Sequence, residues 1–327
     1  MERRTFLSIV PGSLLAMPLV AAAQQVGRMY RLGILSPTAP PGPSDRFFSV
    51  LLVPSALREK GYIEGQNLVI ERRFADGHLE RLPGMARQLV ELRMDVIFAV
   101  GNDAPGAIRE VSNSIPIVMI GRDPVKFGYA ASLARPGGSI TGVVISETGL
   151  ADKRLEILKE VVPRPPRIAM LVSGDIGIKD QIQEAERAAS SLGITLLLID
   201  ASDGNYERAF SRIASERANA LFVPSSPILN GHRKRIIALA AQSRLPAMYQ
   251  WREHAAEGGL MAYGSNISAL SRQVASYVDR ILKGASPSEL AFEQPTTYEL
   301  TINLRAAKAL GLTIPPSLLL RADQVIE

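Results

Sequence analysis

The sequence predicts an α/β protein built from two doubly wound, Rossmann-like lobes around a central cleft. Three observations predict this class: short apolar segments alternate with longer amphipathic ones, the pattern runs through the chain twice, and the 327 residues exceed the roughly 250–300 that one hydrophobic core usually serves. Parallel neighbouring strands need a crossover of about a dozen residues, and the amphipathic segments supply it as helices. The apolar segments are hydrophobic throughout, which is typical of strands buried on both faces.

The first set of elements lies before the break at residues 135–138. Three of its predicted strands are short apolar runs followed by turn residues: Tyr30–Leu35, Asp95–Val100 and Pro116–Ile120. The fourth is Leu68–Arg72, which is β-branched at its start. Its predicted helices have apolar residues at helical spacing: Phe47–Lys60, Glu80–Leu92 and Ala104–Ser112.

The second set repeats the design without a register-perfect sequence repeat. Its predicted strands are Ile168–Val172, Thr195–Asp200, Ala220–Val223, Ala247–Tyr249 and Leu260–Tyr263. Its predicted helices are Leu155–Val161, Asp180–Leu192, Tyr206–Arg217 and His232–Gln242. A tail follows, with a helix at Ile267–Leu282, a strand at Glu299–Ile302 and a short segment at Ala306–Leu310. This tail is too small to form a domain, so we expect it to cross back between the lobes.

The N-terminal segment has the pattern of a signal peptide. Arg3 and Arg4 form a basic start, an interrupted apolar stretch runs to Val20, and Ala21–Ala23 offers small residues for cleavage. We therefore expect residues 1–23 to be removed near Ala23 and the mature chain to be exported to the periplasm as a soluble protein. The basic pair followed by Thr, Phe and Leu resembles a twin-arginine signal, and both this route and the general export route stay open.

Composition and missing motifs exclude several function classes. The chain has no cysteine, which excludes disulfides and thiolate metal sites, and its net charge of +5 is spread among acids, which predicts no nucleic-acid partner. Phosphate-loop, dinucleotide-binding and serine-nucleophile motifs are absent. The three histidines, His78, His232 and His254, are far apart. We therefore expect no cofactor, no metal and no enzymatic activity, although a carboxylate pair formed in three dimensions stays open.

Polar residues follow the predicted strands, where parallel sheets bind ligands beyond their carboxyl ends. The candidate ligand-binding residues at these positions are Ser36, Asn102, Asp103, Asp123, Ser173, Asp175, Ser225, Tyr249 and Glu253. Each Ser, Asn or Asp can instead be a helix N-cap. Asp123 is the sharpest case, since it can pair with a ligand ammonium, pair with Arg122 or cap the next turn. Tyr249, Trp251 and Tyr263 can stack on a flat solute or pack in the core.

Several long segments resemble one family. They are GYIEGQNLVIERRFADG (Gly61–Gly77), ERLPGMARQLVELRMDVIFAVG (Glu80–Gly101), SIPIVMIGRDPV (Ser114–Val125), SLARPGGSITGV (Ser132–Val143), LPAMYQWREHAAEGGLMAYG (Leu245–Gly264), YVDRILKGASPSEL (Tyr277–Leu290) and TINLRAAKALGLTIPPSLLLRADQVIE (Thr301–Glu327). The chain thus resembles the ABC transporter substrate-binding proteins of the tryptophan/tyrosine-binding type, which have the type I periplasmic binding fold. The resemblance implies three hinge crossovers between lobe 1, residues 28–145 plus 265–290, and lobe 2, residues 146–264 plus 291–327.

The resemblance also implies a function. We expect a periplasmic component of an ABC importer that captures a small organic solute, such as an aromatic or branched amino acid, by hinge closure. Its partners would be that solute and an ABC permease in the inner membrane, and the protein would be a monomer. A sensory receptor for a membrane signalling protein and an enzyme on the same scaffold are the alternatives. The loops Asn102–Asp103 and Ser173–Asp175 depart from the family pattern, which leaves the ligand's identity open.

Overall fold

The computed structural model describes residues 28–42, 45, 49–145, 149–162 and 166–327. The predicted signal peptide and the first two residues of the predicted helix Phe47–Lys60 lie outside these residues. Within them, the predicted α/β class with two facing sheets is confirmed.

The first sheet has five parallel strands in the described part of the chain, in the order β2-β1-β3-β4-β5. They are β1 (Tyr30–Ser36), β2 (Leu68–Phe74), β3 (Val96–Val100), β4 (Ile117–Gly121) and β5 (Ile140–Val144). Helices α2 (Leu82–Glu91) and α3 (Asp103–Val111) cover one face, and α1 (Ser49–Glu59) covers the other. Because helices cover both faces, β3, β4 and β5 are buried along their whole length, as their uniform hydrophobicity predicts, whereas the edge strand β2 is mostly half-buried.

The second sheet has seven strands among the described residues, in the order β12-β11-β10-β9-β8-β6-β7. They are β6 (Arg167–Val172), β7 (Thr195–Asp200), β8 (Ala220–Phe222), β9 (Ala247–Tyr249), β10 (Met261–Gly264), β11 (Glu299–Asn303) and β12 (Gln324–Ile326). All neighbours are parallel except β10 and β11. The associated helices are α4 (Leu150–Val161), α5 (Ile178–Leu192), α6 (Tyr206–Ser215), α7 (Pro227–Gly231), α8 (Arg233–Gln242), α9 (Arg252–Ala256), α11 (Leu304–Leu310) and α12 (Pro316–Leu319).

The chain passes between the two sheets at three places in the described residues: after β5, after β10 and after Glu293. Between the last two lies helix α10 (Ile267–Leu282), which packs against α1 and the first sheet. The predicted end of this excursion at residue 290 is too early. Phe292 is buried in the core of the first sheet, and Glu293 forms a bridge beside β5, so the chain leaves the first sheet only after Glu293. The other predicted lobe boundaries stay a prediction.

Five of these helices and strands have no counterpart in the predicted pattern: β5, α7, α9, α12 and β12. Strand β5 contains Gly142, whose packing against the β4 backbone leaves no room for a side chain: a Cβ would lie 2.1 Å from the Met119 carbonyl oxygen. Glycine weakens the hydrophobic run that marks a strand, so β5 carries a poor sequence signal. Helix α12 and strand β12 are only four and three residues long. These short elements are held by packing against the second lobe: Leu318 is buried in its core, and Ile326 packs against it.

Candidate functional site

A closed cavity lies between the lobes, at the carboxyl ends of both sheets. Its volume is about 50 Å³. One water needs roughly 10–15 Å³ of such space, so the room in this form corresponds to about four waters, and a solute with a larger apolar body requires the lobes to part further. Its polar lining comes from Ser36, Thr38, Ser49, Asn102 and Arg122 of the first lobe and from Asp175, Ser225 and Asn230 of the second. Its apolar lining comes from Val50, Val100, Ile120, Ile145, Ile267, Pro227 and Trp251.

Asp175 is the buried carboxylate of this cavity. It follows β6, is only 4% exposed, and accepts hydrogen bonds on Oδ2 from the hydroxyls of Ser173 and Ser226, each at 2.5 Å. Burial raises the pKa of Asp175, while the two serines and the nearby Arg122 charge oppose that rise. Ser226 also caps α7 by accepting from the Leu229 N–H at 3.3 Å. The loop after β6 and the start of α7 therefore hold this carboxylate in one orientation.

Asn102 fastens two loops of the first lobe together. Its Nδ2 donates to the Arg122 carbonyl oxygen at 2.5 Å, and its Oδ1 accepts from the Arg122 N–H at 3.0 Å. Arg122 follows β4, lines the cavity and forms an ion pair with Glu184 of the second lobe at 3.5 Å. Asn102 thus positions Arg122 at the cavity wall and provides part of that wall itself.

Two predicted serines also reach the cavity. The Ser36 hydroxyl lies 2.9 Å from that of Thr38 and accepts the Thr38 N–H at 3.3 Å, which fixes the turn after β1. Ser225, after β8, is held through its backbone by the Gln181 side chain, which accepts from its N–H at 2.8 Å and donates to its carbonyl oxygen at 2.6 Å. Four of the predicted residues therefore line the cavity: Ser36, Asn102, Asp175 and Ser225. Ser173 acts through its bond to Asp175.

Two predicted carboxylates lie outside the cavity. Asp123 is exposed and accepts the Lys126 N–H at 3.0 Å, so the turn-capping alternative is the one found. It faces a separate polar cleft of about 310 Å³. Asp103 accepts the Ile176 N–H of the second lobe at 3.4 Å, while its Oδ2 is buried with no hydrogen-bond partner among the described residues. Burial, together with the Asp175 charge, raises the pKa of Asp103 to about 6.

Tyr249 and Glu253 are also absent from the cavity wall. Tyr249 is 1% exposed, belongs to the core of the second sheet and stacks on the His254 ring at 5.3 Å. Glu253 is buried in α9 and accepts from Arg252 at 3.3 Å, and burial raises its pKa. Tyr249, the last residue of β9, lies in the core, whereas Trp251, two residues later, lines the cavity.

From the sequence, Trp251 is identified only as a ring that can stack on a solute or pack in the core, and the predicted candidate site leaves out Thr38, Ser49, Arg122 and Asn230. Arg122 and Trp251 lie in strand-end segments that the sequence does identify, so position along the chain predicts which segments reach the cavity. It does not predict which residue of a segment lines the cavity, because the direction of each side chain depends on how its loop turns after the strand.

The amino-acid sequence matches a known protein family over most of its length. Residues 51–326 match the family described as ABC transporter substrate binding protein. The chain belongs to this family. The family membership predicted from the sequence segments is therefore confirmed.

Relatives of this substrate-binding protein have the same fold. A tyrosine-binding protein from Clostridioides difficile (strain R20291) is 24% identical over 260 residues, which cover 79% of this chain and 74% of that protein. The structure of an ABC domain in complex with L-Trp from Streptococcus pneumonia has a TM-score of 0.78 at 23% identity, covering 91% of this chain and 100% of that one. A conserved domain protein from Vibrio cholerae has a TM-score of 0.80 at 24% identity, with the same coverage. These similarities confirm the predicted type I periplasmic binding fold.

Ion pairs join the two lobes of this substrate-binding protein around the cavity. Asp45 of the first lobe contacts Arg233 at 3.0 Å and Lys234 at 2.6 Å. Arg233 is almost fully buried and also binds Glu257 of its own lobe through two contacts of 2.7 and 2.8 Å. Lys126 of the first lobe contacts Asp180 of the second at 2.5 Å. The lobes are therefore in direct contact, and the cavity is enclosed.

The described residues lack two further kinds of functional feature. They contain no helix that is both long and apolar enough to cross a membrane. They also contain no group of three His, Cys, Asp or Glu residues placed to hold a metal ion.

Proposed function

We propose that this protein captures a small amino acid-like solute with a protonated amine and an apolar body between its lobes. The observation that carries this proposal is Asp175, a buried carboxylate that faces the enclosed cavity. A buried charge is costly unless it is paired, and a ligand ammonium is a partner that completes its set of hydrogen bonds. The serines that hold Asp175 fix its orientation without neutralising it, and a ligand ammonium would add to the positive charge of nearby Arg122.

The apolar wall selects the rest of the solute. Five side chains of Val or Ile, together with Pro227 and Trp251, surround the cavity. Apolar surface that leaves water on binding contributes about 25 cal/mol per Å². An aromatic or branched amino acid supplies both an ammonium and an apolar side chain. The name of the Clostridioides difficile relative and the L-Trp complex from Streptococcus pneumonia support this class of solute.

Capture would proceed by hinge closure. The cavity wall draws on both lobes, so a solute that touches both stabilises the closed state by its differential affinity for that state. The ion pairs of Asp45 and Lys126 form only when the lobes meet. We propose that this closed form is what an ABC permease in the inner membrane recognises, and that the protein acts as a monomer without catalysing a reaction.

Residues 1–23 support export, and we propose the periplasm as the place of action. Cleavage near Ala23 would release the two lobes from the membrane. N-terminal sequencing of protein secreted into the periplasm of a Gram-negative expression host checks this step, and a retained Met1 would contradict it.

A calorimetric titration tests the binding proposal. The probes are L-tyrosine, L-tryptophan, L-phenylalanine and L-leucine, and the variant is Asp175→Asn. This change keeps the shape but removes the charge, so we expect at least about thirtyfold weaker binding, as for the loss of a buried ion pair. Asp123→Asn is the matched control, since Asp123 lies outside the cavity, and its affinity should stay within about twofold of wild type. If none of the four amino acids binds, or Asp175→Asn binds as tightly as wild type, the proposal is wrong.

A further inference from the structure

Trp251 is the only tryptophan of the chain, and it connects the two lobes. Its backbone belongs to the second lobe, between β9 and α9. Its side chain packs in the apolar core of the first sheet, with Val50, Ile267 and Leu270, and it also lines the central cavity. A single indole ring thus touches the first lobe, the second lobe and the space where a solute would bind.

The indole N–H of Trp251 is unsatisfied. The residue is 8% exposed, and its Nε1 is buried with no hydrogen-bond partner among the described residues. A buried donor left without an acceptor costs about 1–3 kcal/mol, and buried Trp N–H groups usually have a partner. The residue lines the cavity, so a solute bound there is the candidate source of the missing acceptor.

Neighbouring rings hold Trp251 in place. The His254 ring lies 5.8 Å from the indole and stacks on Tyr249 from the other side at 5.3 Å. The His254 Nδ1 also lies 3.0 Å from the Trp251 carbonyl oxygen. Burial lowers the pKa of His254 to about 3, so the ring is neutral and the stack carries no charge at physiological pH. The indole is therefore oriented before a solute arrives.

The start of α10 also reaches the cavity, and its N-cap Asn266 already accepts the Ala269 N–H at 3.0 Å. Ile267, the first residue of this 16-residue helix, lines the cavity and contacts the core cluster of Trp251. A helix N-terminus carries a partial positive charge and attracts electron-rich groups. The indole N–H and the helix end therefore favour the same kind of group, an oxygen atom with lone pairs.

We propose that Trp251 determines specificity by donating its Nε1–H to an oxygen acceptor of the bound solute. This inference rests on the proposed function, since it names the second polar contact of the same cavity. Asp175 selects an ammonium, and Trp251 selects an oxygen. The oxygen is either the solute's carboxylate or a hydroxyl on its side chain, and both are acceptors of the same chemistry.

The test replaces only the N–H. Trp251 is substituted by β-(3-benzothienyl)alanine, in which sulfur stands where the indole has its N–H, and L-tyrosine is titrated by calorimetry. We expect about tenfold weaker binding from the loss of one hydrogen bond to a polar or charged acceptor. The melting temperature without solute should not fall, because the unbound protein loses only an unsatisfied donor. Trp251→Phe should weaken binding as well, and should also lower the melting temperature because the ring is smaller.

Ligand variants identify the oxygen. If the carboxylate is the acceptor, the benzothienyl variant and wild type should bind tyramine, which lacks it, with equal affinity. If the side-chain hydroxyl is the acceptor, the two proteins should bind L-phenylalanine equally. Equal affinity of the two proteins for L-tyrosine overturns this inference while the proposed function stands. A wild-type protein that binds none of the four amino acids overturns both.

Discussion

Gly101 of the first lobe lies against Pro227 of the second, so closely that a Cβ atom on Gly101 would be 2.9 Å from the Pro227 Cγ. Both residues line the central cavity. Gly101 directly follows β3 and has a φ of +77°, a left-handed conformation that favours glycine, and Pro227 is the first residue of α7. The absence of a side chain at residue 101 is therefore what lets the lobes close.

The first prediction concerns this contact. Gly101→Ala adds a methyl group at 2.9 Å from Pro227, well inside the usual carbon–carbon separation of about 3.5–4.0 Å. We expect solute affinity to fall at least about tenfold, since overpacking of this kind costs about 1–3 kcal/mol and the cost arises only in the closed state. Calorimetric titration of the best-bound amino acid measures the change.

Gly65→Ala provides the matched control. Gly65 has a similar φ of +84°, and a Cβ atom added there would have no neighbour within 4 Å, so its substitution introduces the backbone strain alone. Both variants should lose about 1–2 kcal/mol in the free energy of unfolding. Only the variant at residue 101 should lose affinity. Equal affinities in the two variants would show that the lobes do not approach each other at Pro227 on binding.

The second prediction concerns the contact of Asp45 with Arg233 and Lys234. Asp45→Asn removes the interlobe charge pairs, while Arg233 stays paired with Glu257 and is not left as an isolated buried charge. The closed state alone is weakened, so we expect the solute to dissociate about tenfold faster. Stopped-flow measurement of the dissociation rate checks this.

Asp180→Asn serves as the comparison for Asp45. It removes the pair with Lys126, whose side chain is 54% exposed, and exposed ion pairs contribute little. Its dissociation rate should stay within about twofold of wild type. Equal changes in the dissociation rate for the variants at residues 45 and 180 would mean that the more buried ion pair stabilises the closed state no more than the exposed one.

The third prediction concerns pH. In the closed form, burial and the charge of Asp175 raise the pKa of Asp103 from 3.8 to about 6. The other neighbour, Tyr129, stays protonated, since burial and Asp103 raise its pKa to about 12. When the lobes separate, water surrounds Asp103 and its pKa falls back. Protonated Asp103 therefore stabilises the closed form fully below about pH 4, and this stabilisation is lost as pH rises through about 6.

Asp103→Asn should remove this pH-dependent loss of stability of the closed form. The amide oxygen still accepts the Ile176 N–H but carries no charge. We expect the variant to bind solute up to about tenfold more tightly than wild type at pH 7.5, with the difference shrinking toward pH 5. Titrations between pH 5 and 8 measure it. A constant ratio of the two affinities over this range would contradict the assignment.

The fourth prediction concerns Tyr249, which the sequence places among the candidate ligand residues and the structure places in the core. Its hydroxyl is buried and has no hydrogen-bond partner among the described residues. Tyr249→Phe keeps the stack on His254 and removes this hydroxyl, so the free energy of unfolding should stay the same or rise by about 1 kcal/mol. Urea unfolding measures this. Solute affinity should not change, and a marked loss of affinity would place Tyr249 at the binding site.

The strand ends were the predictable part of the site. Ser36, Asn102, Asp175 and Ser225 follow apolar runs that are strong strand signals, and parallel sheets bring such ends together. Asp123 and Tyr249 carry the same signal yet point elsewhere. Asp123 has a φ of +29° and is turned to cap the loop that follows, whereas Tyr249 is the last residue of its strand and keeps the inward direction of the pleat.

By itself, the sequence determined the α/β class, the doubling of the pattern and the segments that carry polar strand ends, because hydrophobic periodicity and strand–helix alternation are local properties of the chain. The tertiary structure decided which residues form the cavity and which close it. Contacts such as Gly101 with Pro227, Asp45 with Arg233, and Trp251 with the core of the opposite lobe join residues distant along the chain. They depend on loop directions and on the angle between the lobes, and no local pattern encodes either.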